Sequence, residues 1–228
     1  MEIVKKYSDS RFRIITHITN EGTGISRNDG IYGANGKYIS FLDPDDWLEP
    51  DYLESLKGAF EANPDINWVM FKYQEHSDPK LEVARVSVPP KYFSYPSGIE
   101  KITPESLKDY TIFCWAKAYR LDWLKERKIC YAETTYEETL FYFHCVFEEQ
   151  PVYLIDKTLY NYLVRPDSWT TSTDAGAIRK NIKSAEYLLN YVPKMIVKRR
   201  YNTDFITPCK NILWRFYSYQ FGRFTVLK

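Results

Sequence analysis

Cysteine, histidine and methionine are all scarce in this chain of 228 residues: four, three and three. Cys114, Cys130, Cys145 and Cys209 lie far apart with no C-x-x-C pair. That excludes a disulfide framework, argues against a zinc site, and reads as reduced thiols in a cytosolic setting. His17, His76 and His144 do not cluster, and His144 falls one helical turn after Phe141 on an apolar face, where a histidine is ordinarily core. Long apolar runs are missing. The longest stretch without a charged side chain is nine residues, Thr139 to Phe147, against the ~20 of a membrane span. The opening Met-Glu-Ile-Val-Lys-Lys has no apolar leader. There is no repeat and no low-complexity tract. What is abundant is aromatic: 17% of residues, with 20 tyrosines. Such side chains suit sugar-stacking sites and ordinary cores alike.

Length and a 44% apolar content suit one globular domain with a helical appendage. The net charge of +1 hides an asymmetry: residues 194–228 carry eight basic and one acidic side chain, which leaves the body at −6. A basic aromatic tail on an acidic body points to an anionic surface as partner, and the lack of any nucleic-acid motif turns that expectation toward a membrane face.

Alternation predicts strands at Arg11–Thr16, Lys37–Leu42, Ile66–Gln74, Val83–Val88 and Val152–Asp156, with Leu159–Arg165 extended. Residues 2–7 read as the end of a helix with no beginning, and helices are predicted over Gly22–Ala34, from Pro50 onward with a Leu53, Leu56, Phe60 stripe, over Arg120–Arg127 and over Thr135–Glu148. Two more follow: one marked by Ile178, Ile182, Ala185, Leu189 and Val192, and one from Cys209 to Phe224. Strands alternating with helices imply an α/β sheet covered on both faces.

Asp43, Asp45 and Asp46 crowd the turn after the Lys37–Leu42 strand, at the end of the sheet where open α/β folds bind ligands. Either a hard divalent cation relieves their repulsion or the turn is solvated and caps the next helix. An EF-hand is excluded, because Leu48 stands where its loop needs glycine. The Gly22-x-Gly24 turn is no dinucleotide fingerprint, since Arg27 occupies the third glycine position.

The run Asn20-Glu-Gly-Thr-Gly-Ile-Ser-Arg27-Asn28, followed by Asn35-Gly36-Lys37-Tyr38-Ile-Ser-Phe-Leu-Asp43-Pro-Asp45-Asp46-Trp47, resembles the family 2 glycosyltransferases of the GT-A fold. Cys114-Trp115-Ala-Lys117-Ala-Tyr119-Arg120, Tyr136-Glu137-Glu138-Thr-Leu-Phe141 and Tyr160-Asn-Tyr162-x-x-Arg165-x-x-Ser168 are similar to three further motifs of that family, in order. Position 138 is Glu where the family usually has Asp. The resemblance implies an open mixed sheet flanked by helices over residues 1–170 and a helical extension over 171–228. It also implies that the family's first strands, which bind the nucleobase and ribose, are absent ahead of Met1. From that follows weak UDP-sugar binding and a sticky sheet edge.

By the same resemblance, the chain moves a sugar from a nucleotide donor, a UDP-sugar, to a hydroxyl of a bacterial surface glycan or lipid-linked acceptor, with inversion. The alternative is a non-catalytic remnant or accessory protein. Mn²⁺ or Mg²⁺ on Asp45 and Asp46 would meet the leaving diphosphate, with Arg27, Asp43, Asp45 and Arg165 on the donor side. Trp115 and Lys117 would face the acceptor, and Glu138, or Glu137 second, would take its proton. Residue chemistry leaves alternatives open. Thr135 and Glu138 also form a capping box, Arg27 could simply pair with an acid, and Trp115 could be core. The setting implied is cytoplasmic, peripheral on the inner face of the membrane.

Overall fold

The computed structural model describes residues 9–77, 96–148, 151–164 and 174–226, with side chains to 223. Among these residues the α-helices and strands follow the order α1 (Thr23–Gly33), β1 (Tyr38–Ser40), β2 (Trp47–Leu48), α2 (Tyr52–Ala62), β3 (Trp68–Ser77), β4 (Gly98–Glu100), β5 (Lys117–Arg120), α3 (Leu121–Glu126), α4 (Glu137–Phe147), β6 (Val152–Val164), α5 (Ala175–Arg199) and α6 (Ile206–Val226). The sheet runs β1-β5-β3-β6-β2, with β4 also on β6. Among the described residues only β3 and β6 pair in parallel; the other ladders are antiparallel. This is the open mixed sheet expected, flanked by helices.

β3 is the spine. Trp68, Val69, Met70 and Phe71 are all buried, and alternate residues of a strand face opposite sides. Trp68 meets Tyr142 of α4, while Phe71 meets Tyr52 of α2 edge-on at 5.3 Å. The sheet is therefore covered on both faces, as its near-continuous apolar sequence requires. The ladder between β3 and β6 shifts register around Lys72. That irregularity lets Val152–Asp156 and Leu159–Val164, read as two pieces in the sequence, form one strand.

Several expectations are corrected. Arg11–Thr16 is not a strand: no strand among the described residues lies beside it, and extended chain becomes sheet only through a ladder. It runs along α1 instead, with Arg13 donating to the Gly33 carbonyl and His17 Nε2 lying 2.7 Å from Asp29. Lys37–Leu42 yields only the three residues of β1, half-buried and paired on one side with β5. β4 and β5 went unread because three and four residues are too short to show alternation. On α2 the buried face is Tyr52, Leu56, Ala59 and Phe60. The helix starts at Tyr52 rather than Pro50, and Tyr52 takes the core position of the stripe, which leaves Leu53 75% exposed. On α5, Asn181 and Leu188 are buried where Ile182 and Leu189 were expected; those two are half-buried. The readings at residues 2–7 and Val83–Val88, and the boundary at 170, fall outside the described residues.

α5 is capped by Asp174, whose carboxylate accepts from Ala177 N at 2.7 Å, and ends on Arg200 in the left-handed region (φ 59°). It returns as α6. Leu188, Val192, Met195 and Ile196 of α5 and Cys209 and Leu213 of α6 join the same apolar core as the sheet.

The corrected face of α2 has a simple test. Leu56→Ala should cost about 2–4 kcal/mol of unfolding free energy, and Leu53→Ala within about 0.5 kcal/mol of nothing, both read from urea midpoints. Comparable losses from the two would restore the face expected from the sequence.

Candidate active site

The site is assembled around Arg27 on α1. Its guanidinium donates from Nη2 to Asp43 Oδ1 at 2.9 Å and from Nη1 to Glu138 Oε1 at 2.6 Å, with Glu137 Oε1 at 3.7 Å. The ring of Tyr131 lies beneath it, 5.5 Å from its centroid. Only 9% of the Arg27 side chain meets solvent. Of the roles left open for Arg27, the structure shows ion pairing, but to acids from two distant elements rather than to one in its own turn. Asn28 grips the same neighbour: its amide donates to Tyr131 O at 3.0 Å and accepts from Tyr131 N at 2.8 Å.

Two glycines make this approach possible. Gly22 ahead of α1 has φ +91°, a conformation side chains resist. At Gly24 a Cβ would stand 3.1 Å from Ala132 O and 3.2 Å from Glu137 Cγ. A side chain at residue 24 would crowd the approach of α1 to the start of α4.

The capping box at Thr135 does not form. The residue preceding α4 is Tyr136, without a side-chain cap bond, and the Thr135 hydroxyl is buried with no partner found. Glu138 is turned instead to Arg27 and to the Cys114 thiol, which donates to Oε1 at 3.4 Å. Glu137 differs. Burial first, and the charge of Glu138 second, push its carboxyl up to about 7. Two adjacent glutamates thus have distinct environments.

The acidic turn is strapped to β6. Tyr160 Oη donates to Asp46 Oδ2 at 2.6 Å and accepts from Asp43 N at 3.1 Å; Leu163 N donates to Asp46 Oδ1 at 2.8 Å. Burial raises the Asp46 carboxyl above its usual range in spite of these bonds. Asp45 sits half-exposed at the turn. Among the described residues no three His, Cys, Asp or Glu side chains are grouped to hold a metal. Each Asp46 oxygen accepts one hydrogen bond, which leaves each a further lone pair. A hard cation at this turn would have to draw most of its ligands from water and phosphate oxygens, as Mg²⁺ does.

Trp115 is core, the bland alternative. It is buried and stacked against Phe113 (4.8 Å), Tyr160 (4.7 Å) and Tyr162 (5.1 Å). Lys117 is corrected too. It is wholly buried, its ammonium donating to Thr111 O and Phe113 O, both at 2.7 Å, and burial lowers its pKa to about 7. It holds the loop that carries Phe113 rather than facing a ligand. Arg165 lies outside the described residues. His144 is core as expected; burial lowers its pKa to about 4. Tyr160, Cys114 and Gly24 were missed as site residues. Tyr160 stood in a quoted motif, but nothing in its spacing told that its hydroxyl would reach Asp46.

A family model, "Glycosyl transferase family 2", matches residues 1–127, more than half of the chain. The chain belongs to glycosyl transferase family 2. It is 27% identical over 175 residues to EpsH of Bacillus subtilis, covering 73% of this chain and 49% of EpsH. It is 30% identical over 181 residues to the glycosyltransferase GlyA of Streptococcus pneumoniae, covering 74% of this chain and 26% of GlyA. The chain thus spans half or less of these relatives. The S. aureus TarS structure (residues 1–349) in complex with UDP-GlcNAc shares its fold: TM-score 0.61, 20% identity, 83% of this chain and 54% of that one.

The raised Glu137 carboxyl carries a sign. In the unfolded chain it ionises near 4.5, in the folded chain near 7. The folded state holds the extra proton in between, so stability falls as pH rises through that window. Glu137→Gln should match the parent below about pH 4.5 and exceed it by on the order of 1–3 kcal/mol at pH 8. A difference that does not grow with pH in urea melts would remove the basis for a poised Glu137.

Proposed function

We propose that this chain transfers a sugar from a UDP-sugar to a hydroxyl of a glycan or lipid-linked acceptor, inverting the anomeric carbon. The observation that carries the reading is the Arg27 bridge, which sets the acidic turn and the Glu137–Glu138 pair on one guanidinium. The two groups that such a transfer needs, one toward the diphosphate and one toward the acceptor, are then neighbours. TarS, which shares the fold, was solved with UDP-GlcNAc bound, and that supports a nucleotide-sugar donor.

In the proposed step the acceptor oxygen loses its proton to a carboxylate and forms the new bond to the anomeric carbon. The bond from that carbon to the diphosphate breaks, and the diphosphate leaves with the electron pair. Mn²⁺ or Mg²⁺, held by Asp45 with Asp46 behind it, would supply Lewis-acid stabilisation of the leaving group. Asp46 holds the turn in place through Tyr160 and Leu163. Arg27 keeps Asp43 and Glu138 from repelling one another.

The family resemblance assigns the proton to Glu138. A second assignment, Glu137, is favoured by its carboxyl near 7, since a base works best with a pKa close to the working pH. The assay is UDP release from a panel of UDP-sugars with short glycan acceptors and Mn²⁺. Loss of the base should cost ~10²–10⁴-fold. If Glu138→Gln is slow and Glu137→Gln is not, Glu138 is the base; the converse names Glu137. Full activity in both variants rejects the pair. Titration of UDP with Mn²⁺ by calorimetry tests the donor side, and Asp45→Ala should weaken it at least about tenfold, the loss of roughly 1.4 kcal/mol. No UDP binding by the parent chain would favour the non-catalytic alternative.

We also propose that the C-terminal helices rest on an anionic membrane. Tyr201 and Phe216 do not take part, because Tyr201 bonds Glu148 at 2.7 Å and Phe216 stacks on Tyr136 at 5.1 Å. Trp214, Tyr217 and Phe221 instead form a stacked ladder along α6, with Trp214 and Phe221 exposed. Lys210 and Arg215 on the same helix are exposed as well. No helix among the described residues is long and apolar enough to cross a membrane. Co-sedimentation with phosphatidylglycerol vesicles should fall steeply with salt, each basic residue adding ~1 kcal/mol. Binding that ignores salt, or none, rejects this contact.

A further inference from the structure

Beside the acidic turn, an indole stands at the surface. Trp47 follows Asp46 directly, opens β2 and is 44% exposed. Its ring lies against the imidazole of His76 on β3, centroids 4.6 Å apart and tilted by 42°. A chain of side chains fixes that imidazole. His76 Nε2 lies 2.8 Å from Asn161 Oδ1, and Asn161 Nδ2 donates to Glu49 Oε1 at 2.8 Å. Asn161 is buried and sits opposite Trp47 in the ladder. Because the amide oxygen can only accept, Nε2 carries the hydrogen, and in the neutral ring Nδ1 is then an acceptor. β6 therefore holds two things side by side: Asp46, through Tyr160 and Leu163, and the Trp47–His76 pair, through Asn161.

Burying one amide and engaging one carboxylate to orient a half-exposed pair of rings is the arrangement of a binding surface whose supporting residues lock its geometry. The ligand class follows from the chemistry of the rings. A pyranose has an apolar face of C–H groups that covers an indole, and hydroxyls at its rim that can donate to an imidazole nitrogen. Trp is suited to such a task, with a large apolar body beside solvent.

We propose that Trp47 and His76 form a subsite for a pyranose ring next to the acidic turn. This rests on the sugar-transfer reading, and the ring belongs either to the acceptor or to the donor's own sugar. The experiment uses the whole chain with two probes. Saturation-transfer NMR reads methyl β-D-glucopyranoside and methyl N-acetyl-β-D-glucosaminide, which carry no nucleotide. Calorimetry compares UDP-GlcNAc with UDP. In Trp47→Ala the signal from a methyl glycoside should fall roughly fivefold, what ~1 kcal/mol of ring stacking supplies, with UDP affinity unchanged; this assigns the ring to the acceptor. If instead the glycosides are unaffected and UDP-GlcNAc loses its advantage over UDP, the ring is the donor's. Trp47→Phe should keep most of either signal, and His76→Gln, which can still bond Asn161, should lose part. Trp47→Leu, apolar and tolerated in a strand, guards against misfolding, with thermal melts run on all variants. Unchanged binding of both probes in a folded Trp47→Leu, or no sugar-dependent signal from the parent chain, overturns the proposal. A Trp47-dependent glycoside signal without any UDP binding would keep the subsite and reject the donor reading instead.

Discussion

One buried guanidinium joins segments of this chain that lie more than a hundred residues apart. Arg27 and Glu138 are separated by 111 positions, yet their charged atoms stand 2.6 Å apart. An arginine removed from water this far is costly unless its donors are met and its charge is balanced. Here Asp43, Glu138 and the face of Tyr131 do both. The consequence is geometric more than energetic. A buried pair often contributes little net stability, but removing one partner strands the other, commonly at 3–5 kcal/mol. α1, the acidic turn and the first turn of α4 are therefore held in one arrangement, and Gly24 keeps the gap between two of them narrow enough for the bridge to close.

A second brace stabilises what the bridge positions. Tyr160 hangs the acidic turn on β6, and its ring is one layer of the stack that runs through Trp115 to Phe113. Phe113 is fixed in turn by Lys117, whose ammonium binds the carbonyls of residues 111 and 113 from inside the core. A lysine with no water around it is an expensive way to hold a loop. Its N–H donors nevertheless meet the carbonyls of residues 111 and 113, and an unmet buried carbonyl also costs. The motif containing Trp115 and Lys117 thus looks like ligand chemistry in the sequence and acts as scaffolding in the fold.

How legible the protein was depends on the range of the interaction concerned. α1, α2, α3 and α4 could be read because apolar spacing and flanking Gly and Pro are local signals. β1 was placed but overestimated, since its length is set by how much of β5 lies beside it. Arg11–Thr16 has the composition of a strand and no partner, which no single segment can reveal. The motifs identified the family and put Arg27, Asp43, Asp45, Asp46, Glu137 and Glu138 on one short list. They did not say which acid Arg27 would meet, because that depends on the close approach at Gly24. The capping box at Thr135 was a sound local pattern, but the pull of Arg27 on Glu138 proved stronger than a surface cap worth about 1 kcal/mol.

That competition bears on the two glutamates. One guanidinium faces three carboxylates, Asp43, Glu137 and Glu138, in a site sheltered from water. A single positive charge can neutralise one fully and a second in part. The residual negative charge must then be screened by solvent or cancelled by a proton. Glu138, at 2.6 Å, and Asp43, at 2.9 Å, take the guanidinium; Glu137, at 3.7 Å and largely buried, has the poorest share. Burial, and after it the charge of Glu138, pushes its carboxyl up to about 7. Any cation arriving at the acidic turn would change this balance. It would draw Asp43 away from Arg27, leave more of the guanidinium for the α4 pair, and lower the proton affinity at Glu137. The protonation of Glu137 is thereby coupled to charge at the turn, a link that follows from Coulomb's law and the spacing of these groups.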